Sequence, residues 1–421
     1  MKVRRTLPPA AVPLGFQDLW NGLKGFLAGE SMLDAFRSEI KEYFKTRHVF
    51  LTSSGKAAMY IILRAMRSLR PDRTEVLIPA YTCFSVPSAI VKAGLTVALC
   101  DIDASSLDFD MRLLGRAVND KTLCIVPNHL FGIPSRLNEI IACAKGKDVF
   151  ILEDAAQAMG IRQGSGFLGT FGDAGFFSLG RGKSVTCGEG GIIMTNSDAM
   201  AGAISSEYEG IDYPAKNDTI REYAKTVLMS LFIRPSLYWI PASMPFLGLG
   251  RTIFDPYFPV ARFSPVKAGL CKGWRERLES GMSVRERQAG LLCRDLKPHG
   301  GAGVNRKLPY LRLPFLTISR DHKARICEIA KNEGLGITPL YSSAINEIPQ
   351  IAHKFSTQTF PSARCVADRL ITLPLHKYVN DRDRARMVRL LSPCRRSQIK
   401  MKDRYPLFTP FIPGPAARED I

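Results

Sequence analysis

The stretch Val49-Phe50-Leu51-Thr52-Ser53-Ser54-Gly55-Lys56-Ala57-Ala58 sets the pattern of the chain. A short apolar run ends in small polar residues, and a helical pattern over 57–67 follows at once. At such a junction the free backbone amides and the helix dipole make an anion site suited to a phosphate. Gly55-Lys56 is not a nucleotide P-loop, because Phe50 stands where that motif needs a glycine and Ala57 follows the lysine.

The pattern repeats along the first half. Apolar runs at 49–52, 75–79, 96–101, 122–126 and 148–153 read as buried strands, and helical patterns lie at 57–67, 84–92, 110–116 and 137–144. This alternation predicts a mostly parallel sheet covered on both faces, with ligands at the carboxyl ends of the strands. Polar residues fall at those ends. Asp154 and Gln157 follow the Ile151-Leu152 run, and His129 follows Ile125-Val126. Lys183 lies in Phe177-Ser178-Leu179-Gly180-Arg181-Gly182-Lys183-Ser184, closed by Glu189-Gly190-Gly191. Phe177 rules out a P-loop here too. Taken locally, Lys183 reads more readily as a solvated loop lysine than as a cleft residue. Beside an acid such as Asp154 it has a second meaning: an amine for a Schiff base and a carboxylate for a pyridinium are what pyridoxal phosphate requires.

Further segments join these. Ser54-Gly55-Lys56-Ala57-Ala58, Ile78-Pro79-Ala80-Tyr81-Thr82, Asp101-Ile102-Asp103, His129-Leu130-Phe131-Gly132, Glu153-Asp154-Ala155-Ala156-Gln157, the 178–183 segment and Glu189-Gly190-Gly191 follow in order. The set resembles the DegT/DnrJ/EryC1/StrS aminotransferases. Gly334 to Thr338, Tyr341 and Leu373-Pro374-Leu375-His376 extend the likeness to about Leu390. The resemblance implies an α/β protein of pyridoxal phosphate fold type I, with a mostly parallel central sheet and a smaller C-terminal α/β domain. It implies that Lys183 holds the cofactor and moves a proton, that Asp154 binds the pyridine nitrogen, and that Gln157 lies beside the ring hydroxyl. Ser54, Gly55, Lys56 and Ser178 would surround the phosphate; Tyr81, His129 and Tyr341 are expected substrate contacts. Glu189 either places the lysine loop or caps a turn.

Some positions depart from the family pattern. Cys83 stands where an aromatic residue commonly stacks on the pyridine ring, so either Cys83 packs there or Tyr81 or Phe84 supplies the stacking. Lys56 replaces a threonine. Arg262-Phe263-Ser264 matches a segment that neighbouring subunits contribute, but Val260 replaces its asparagine. Relatives that dehydrate sugars carry histidine in place of the lysine, so retention of Lys183 favours transamination.

The 421 residues, 46% of them hydrophobic, suffice for two domains. The expected division is a basic arm over 1–30, a large cofactor domain over 31–260 and a smaller domain with a basic tail over 261–421. Ten cysteines show no CxxC pair and six histidines no HExxH motif, so reduced thiols and no metal are expected. Prolines at 8, 9 and 13 argue against a secretory leader. A net charge of +19 suits anionic partners, yet no nucleic-acid-binding motif accompanies it. The apolar segment 226–250 is broken by Arg234 and by prolines at 235, 241 and 245, so it should not span a membrane. Two readings of it stand: a subunit contact or roof over the active site, and a peripheral contact with an anionic membrane.

The sequence therefore predicts a cytoplasmic homodimeric aminotransferase, peripheral on the inner membrane face in the second reading. It would move an amino group from glutamate to a keto sugar nucleotide in polysaccharide or glycoconjugate synthesis. A pyridoxal phosphate lyase or dehydratase, and a non-catalytic membrane-associated protein of the same fold, are the alternatives.

Overall fold

The computed structural model describes residues 5–244, 247–248, 250, 252–296 and 308–392. The basic cluster Arg395, Arg396, Lys400, Lys402 and Arg404 lies outside the described residues.

The first half alternates as its sequence predicts. After α1 (Phe16–Ala28) and α2 (Glu30–Phe44) come β1 (His48–Thr52), α3 (Gly55–Leu69), β2 (Glu75–Pro79), α4 (Ser85–Lys92) and β3 (Thr96–Cys100). A hairpin of β4 (Ile102–Asp103) and β5 (Asp108–Phe109) leads to α5 (Met111–Ala117), β6 (Thr122–Ile125), α6 (Leu137–Ala144) and β7 (Phe150–Asp154). The short pair β8 (Arg162–Gln163) and β9 (Gly166–Phe167) precedes β10 (Ala174–Ser178) and β11 (Gly191–Thr195).

Seven of these strands form one sheet in the order β1-β11-β10-β7-β6-β2-β3. Only β11 runs against the others, pairing antiparallel with both β1 and β10. Its residues 191–195 are buried throughout, as a strand covered on both faces must be. Packed on the sheet, α3 buries a broad apolar face of Ala57, Ala58, Met59, Ile61, Ile62, Leu63, Ala65 and Met66 and turns Arg64 outward. Because six strands point the same way, their carboxyl ends share one edge, where β11 begins.

The chain continues through α7 (Asp198–Glu209), α8 (Lys216–Phe232), the one-turn α9 (Trp239–Ala242), α10 (Pro265–Cys271) and the long α11 (Trp274–Leu296). A second sheet, β12-β14-β13, contains β12 (Leu313–Leu316), β13 (Thr338–Pro339) and β14 (Leu370–Leu373), accompanied by α12 (Arg320–Glu333), α13 (Pro361–Arg369) and α14 (Asp381–Leu391). The expected break at 260 falls inside the large unit rather than at its edge. α10 packs against α1 and α2 there, with Gly25 and Gly269 permitting backbone approach: a Cβ on Gly269 would lie 2.2 Å from the Asn21 carbonyl. Trp274, 1% exposed, stacks on Phe44 just after α10.

The expected basic arm is also built into the fold. The Leu7 N–H donates to Gly334 O (2.8 Å), His376 Nε2 donates to Pro8 O (2.8 Å), and Arg5 pairs with Asp383 (2.8 Å). The arm thus lies on the small sheet unit and passes the lysine loop, where a Cβ on Gly182 would sit 3.4 Å from Ala10 Cβ. The 226–250 segment begins as the last turns of α8, and its Pro235 carbonyl accepts from the Thr6 N–H at 2.9 Å.

Candidate active site

The polar residues singled out in the sequence collect at the edge where the parallel strands end. Ser54 ends the β1 connection and caps α3, its hydroxyl accepting from the Ala57 N–H at 3.1 Å. The amides of Gly55 and Lys56, in the first helical turn, have no helical partner and remain for an anion. Ser178, at the end of β10, closes one side: a Cβ on Gly55 would come 3.0 Å from Ser178 Cβ. On the other side a Cβ on Gly191 would lie 2.3 Å from the Ser54 carbonyl, which explains the glycine in Glu189-Gly190-Gly191. The Lys56 ammonium sits over the Phe258 ring at 4.6 Å, so what Lys56 offers an anion at this junction is its backbone N–H. Lys267 closes the back, its Nζ 3.3 Å from Ser53 O and 2.7 Å from Glu222.

Lys183 is half-buried on the loop between β10 and β11. Positive φ at Gly182 (75°) and Gly188 (92°) turns that loop, and the Leu179 N–H donates to Gly190 O at 2.8 Å to close it. Glu189 is exposed; the contact it makes is through its carbonyl, which accepts from the Cys187 thiol at 3.2 Å.

Asp154, at the last position of β7, is 4% exposed, and its Oδ1 accepts from the Ala156 N–H at 3.1 Å. Burial pushes its carboxyl above the usual range, while the charge of Lys183, the Ala156 N–H and His129 pull it back. A buried carboxylate with one amide donor and a lysine charge nearby is a good receptor for a further cation.

A second cluster joins the small unit to this edge. Tyr341 has φ of 48° and lies near Tyr81 and Phe84, with ring centroids 5.7 and 6.1 Å away. The Tyr81 hydroxyl donates to Leu340 O. Gln157 braces the cluster: its Oε1 accepts from the Phe131 N–H (3.1 Å), and its Nε2 hydrogen-bonds Tyr341 Oη (3.1 Å). Phe131 also has positive φ, 60°, so one amide side chain holds two strained residues. One Nε2 proton of Gln157 remains for a ligand. Tyr81, Phe84 and half-buried Cys83 all engage the 340–341 segment, Cys83 through a side-chain hydrogen bond with Tyr341.

His129 corrects an expectation. It is 0% exposed, its Nδ1 accepts from the Ser135 N–H (3.1 Å), and its Nε2 therefore donates to Glu153 (2.9 Å). With both nitrogens occupied inside the protein, His129 is a brace rather than a substrate contact. Its partner Glu153 also accepts from the N–H groups of Gly169 (2.8 Å), Phe171 (2.6 Å) and Gly172 (2.7 Å), fixing the turn ahead of β10. Asp101 caps α13 across the two units, accepting from the N–H groups of Ser362 (3.0 Å) and Ala363 (2.9 Å). The Arg262-Phe263-Ser264 segment lies beside the chain's own β1, where Phe263 N–H donates to Leu51 O at 3.2 Å.

The α/β fold is shared with solved sugar aminotransferases and dehydratases. Aligned on the Helicobacter pylori aminotransferase PseC, involved in the biosynthesis of pseudoaminic acid, the chain superposes with a TM-score of 0.73 at 17% identity, over 94% of this chain and 100% of that one. The sequence model of the DegT/DnrJ/EryC1/StrS aminotransferase family matches residues 23–224. Among curated relatives, GDP-perosamine synthase of Vibrio cholerae is 29% identical over 168 residues, 40% of this chain and 45% of that protein. GDP-4-keto-6-deoxy-D-mannose 3-dehydratase of Yersinia pseudotuberculosis is 30% identical over 179 residues, 42% of this chain and 45% of its own length. The chain thus spans about half the length of the curated relatives it matches.

Proposed function

We propose that the protein is a pyridoxal-phosphate-dependent aminotransferase that moves an amino group from glutamate to a keto sugar nucleotide. The observation that supports this most is the convergence of Lys183 and Asp154: a buried carboxylate, raised by desolvation, within reach of a loop lysine's charge. The cradle fits the cofactor's phosphate, since any side chain at Gly191 would strike Ser54 and fill it. When bound, pyridoxal phosphate supplies a carbonyl for Schiff-base chemistry and a ring that accepts electrons.

The residues divide the remaining work. The amides of Gly55 and Lys56 with the Ser178 hydroxyl would hold the phosphate, and the Asp154 carboxylate would keep a proton on the pyridine nitrogen. Lys183 Nζ would attach the cofactor and later move a proton between carbons. Gln157, through its free N–H, would orient the ring hydroxyl. Because donor and acceptor would use this one site in turn, ping-pong kinetics are expected. The test is to reduce the holoenzyme with borohydride and map the modified peptide: label on any lysine other than Lys183 defeats the assignment. A dehydratase reading is separated by product analysis with isotopic glutamate, since only transamination leaves nitrogen in the sugar.

The assembly belongs to the same proposal. Family likeness suggests a homodimer. The exposed apolar residues Phe16, Trp20, Leu23 and Leu27 form one stripe along α1, and Ile220, Leu228 and Leu231 of α8 continue it. α1 and α8 are neighbours, since Tyr223 Oη donates to Leu19 O at 2.8 Å. With Lys24, Lys216 and Lys225 exposed on the same helices, this surface suits a peripheral seat on an anionic leaflet. No helix among the described residues is long and apolar enough to cross a membrane.

A further inference from the structure

Arg312 stands on the approach to β12, where its side chain has no acid to pair with among the described residues. Its Nε donates to Pro9 O at 3.1 Å and its Nη2 to Thr338 Oγ1 at 3.1 Å. Neither acceptor carries charge. The groups within electrostatic reach are the phenols of Tyr238, from the segment after α8, and of Tyr341, and the buried His376 imidazole, which burial keeps neutral. Burial pulls the guanidinium down to about 10, so it is cationic at neutral pH without a countercharge. Leaving a partly buried cation unpaired is unfavourable, and a fold retains one where a ligand completes it.

The free valences define the ligand. Nε and one Nη2 proton are taken, which leaves both Nη1 protons and the second Nη2 proton. That end presents two parallel N–H groups, the fork that a planar carboxylate accepts in bidentate fashion. Position is equally specific. Tyr341 links Arg312 to Gln157, three residues beyond Asp154, and Pro9 precedes the Ala10 that borders Gly182 beside Lys183. The phosphate-sized anion site at the start of α3 is separate and built of amides, and a single guanidinium among phenols would leave a diphosphate undercompensated.

We infer that Arg312, framed by Pro9, Thr338, Tyr238 and Tyr341, is the carboxylate-binding residue for the amino donor. This rests on the aminotransferase reading for the identity of the donor, though the anion site itself does not. Tyr238 makes the segment after α8 part of that subsite, so donor recognition draws on the N-terminal arm, the small sheet and this segment together.

The experiment measures binding of glutarate, an unreactive dicarboxylate, to the holoenzyme by calorimetry, with inorganic phosphate as a parallel probe. Arg312→Gln should weaken glutarate binding and raise the KM for glutamate by about 10- to 100-fold, the effect of losing a charge-assisted fork. The cofactor absorption spectrum and the KM for the sugar acceptor should stay within a factor of about two. Arg312→Lys, which keeps the charge and loses the fork, should fall between and guards against misfolding of the glutamine variant. Equal glutarate affinity in all three proteins would overturn the inference, as would Arg312-dependent binding of phosphate but not glutarate. If no amino transfer is found with any acceptor while glutarate binding still depends on Arg312, the functional reading fails and the carboxylate subsite stands.

Discussion

That Lys183 and Asp154 come to one edge is legible in sequence order, because Asp154 ends β7 and Lys183 lies on the loop after β10, the strand beside it. Lys183→Ala should abolish borohydride labelling and amino transfer while leaving circular dichroism unchanged. Asp154→Asn should still bind cofactor but lose turnover by about 10²–10³-fold, the usual effect of removing charge stabilisation from a dry site; turnover near the native rate would take Asp154 out of the mechanism. The same substitution has a consequence for stability. Burial raises the folded pKa of Asp154 above its unfolded value of about 3.9. Between those two values the native chain holds a proton that the unfolded chain has released, so stability falls as pH rises through the window. In the cofactor-free protein Asp154→Asn should therefore melt higher than the native chain at pH 7, with an advantage that shrinks towards pH 4. A lower melting temperature for the variant at neutral pH would contradict that sign. His129 was misread because its sequence position is that of a site residue, whereas its burial depends on Ser135 and Glu153 folding over it.

At the scale of elements, the alternation of strand and helix carried the large sheet, down to β2 at Glu75–Pro79 and α6 at Leu137–Ala144. The period of apolar residues reports which elements form; it carries no information about which turn a distant carboxylate will hold. Glu153 shows this, since its four hydrogen-bond donors come from residues around 129 and 169–172. Glu153→Ala leaves those buried N–H groups unpaired and should destabilise the fold by about 3–5 kcal/mol, read as a shifted urea midpoint. Gly191→Ala separates cradle from fold more finely. Its Cβ would press on the Ser54 backbone, so cofactor affinity should fall along with a loss of about 1–3 kcal/mol in stability. Unchanged affinity would show that the cradle tolerates displacement.

Across the whole molecule, the apolar segment after α8 finds neighbours within its own chain. Its Pro235 carbonyl accepts from the arm and its Tyr238 phenol lies within electrostatic reach of Arg312. The proposed lipid surface would then fall chiefly on α1 and α8, elements whose exposed stripes sequence alone did not connect. Vesicles should bind the protein more as anionic lipid increases and less as salt rises, and Trp20→Ser with Leu27→Ser should abolish binding without changing amino transfer. Absence of binding at low salt would assign this face elsewhere. A fully active monomer in sedimentation would refute the homodimer.

The arm that binds the small sheet has a consequence in time. Pro9 leaves the ribosome 303 residues ahead of Arg312, its hydrogen-bond donor. At about 5–20 residues per second that is a wait of about 15–60 s. The large sheet can form during this interval with its ligand edge still open, because the arm, whose Ala10 borders Gly182, has nothing to lie on until the small unit is synthesised. The site is thus closed last, by a segment made well before it, and a nascent chain stalled before residue 312 should expose Lys183 to amine-reactive reagents that the finished protein resists.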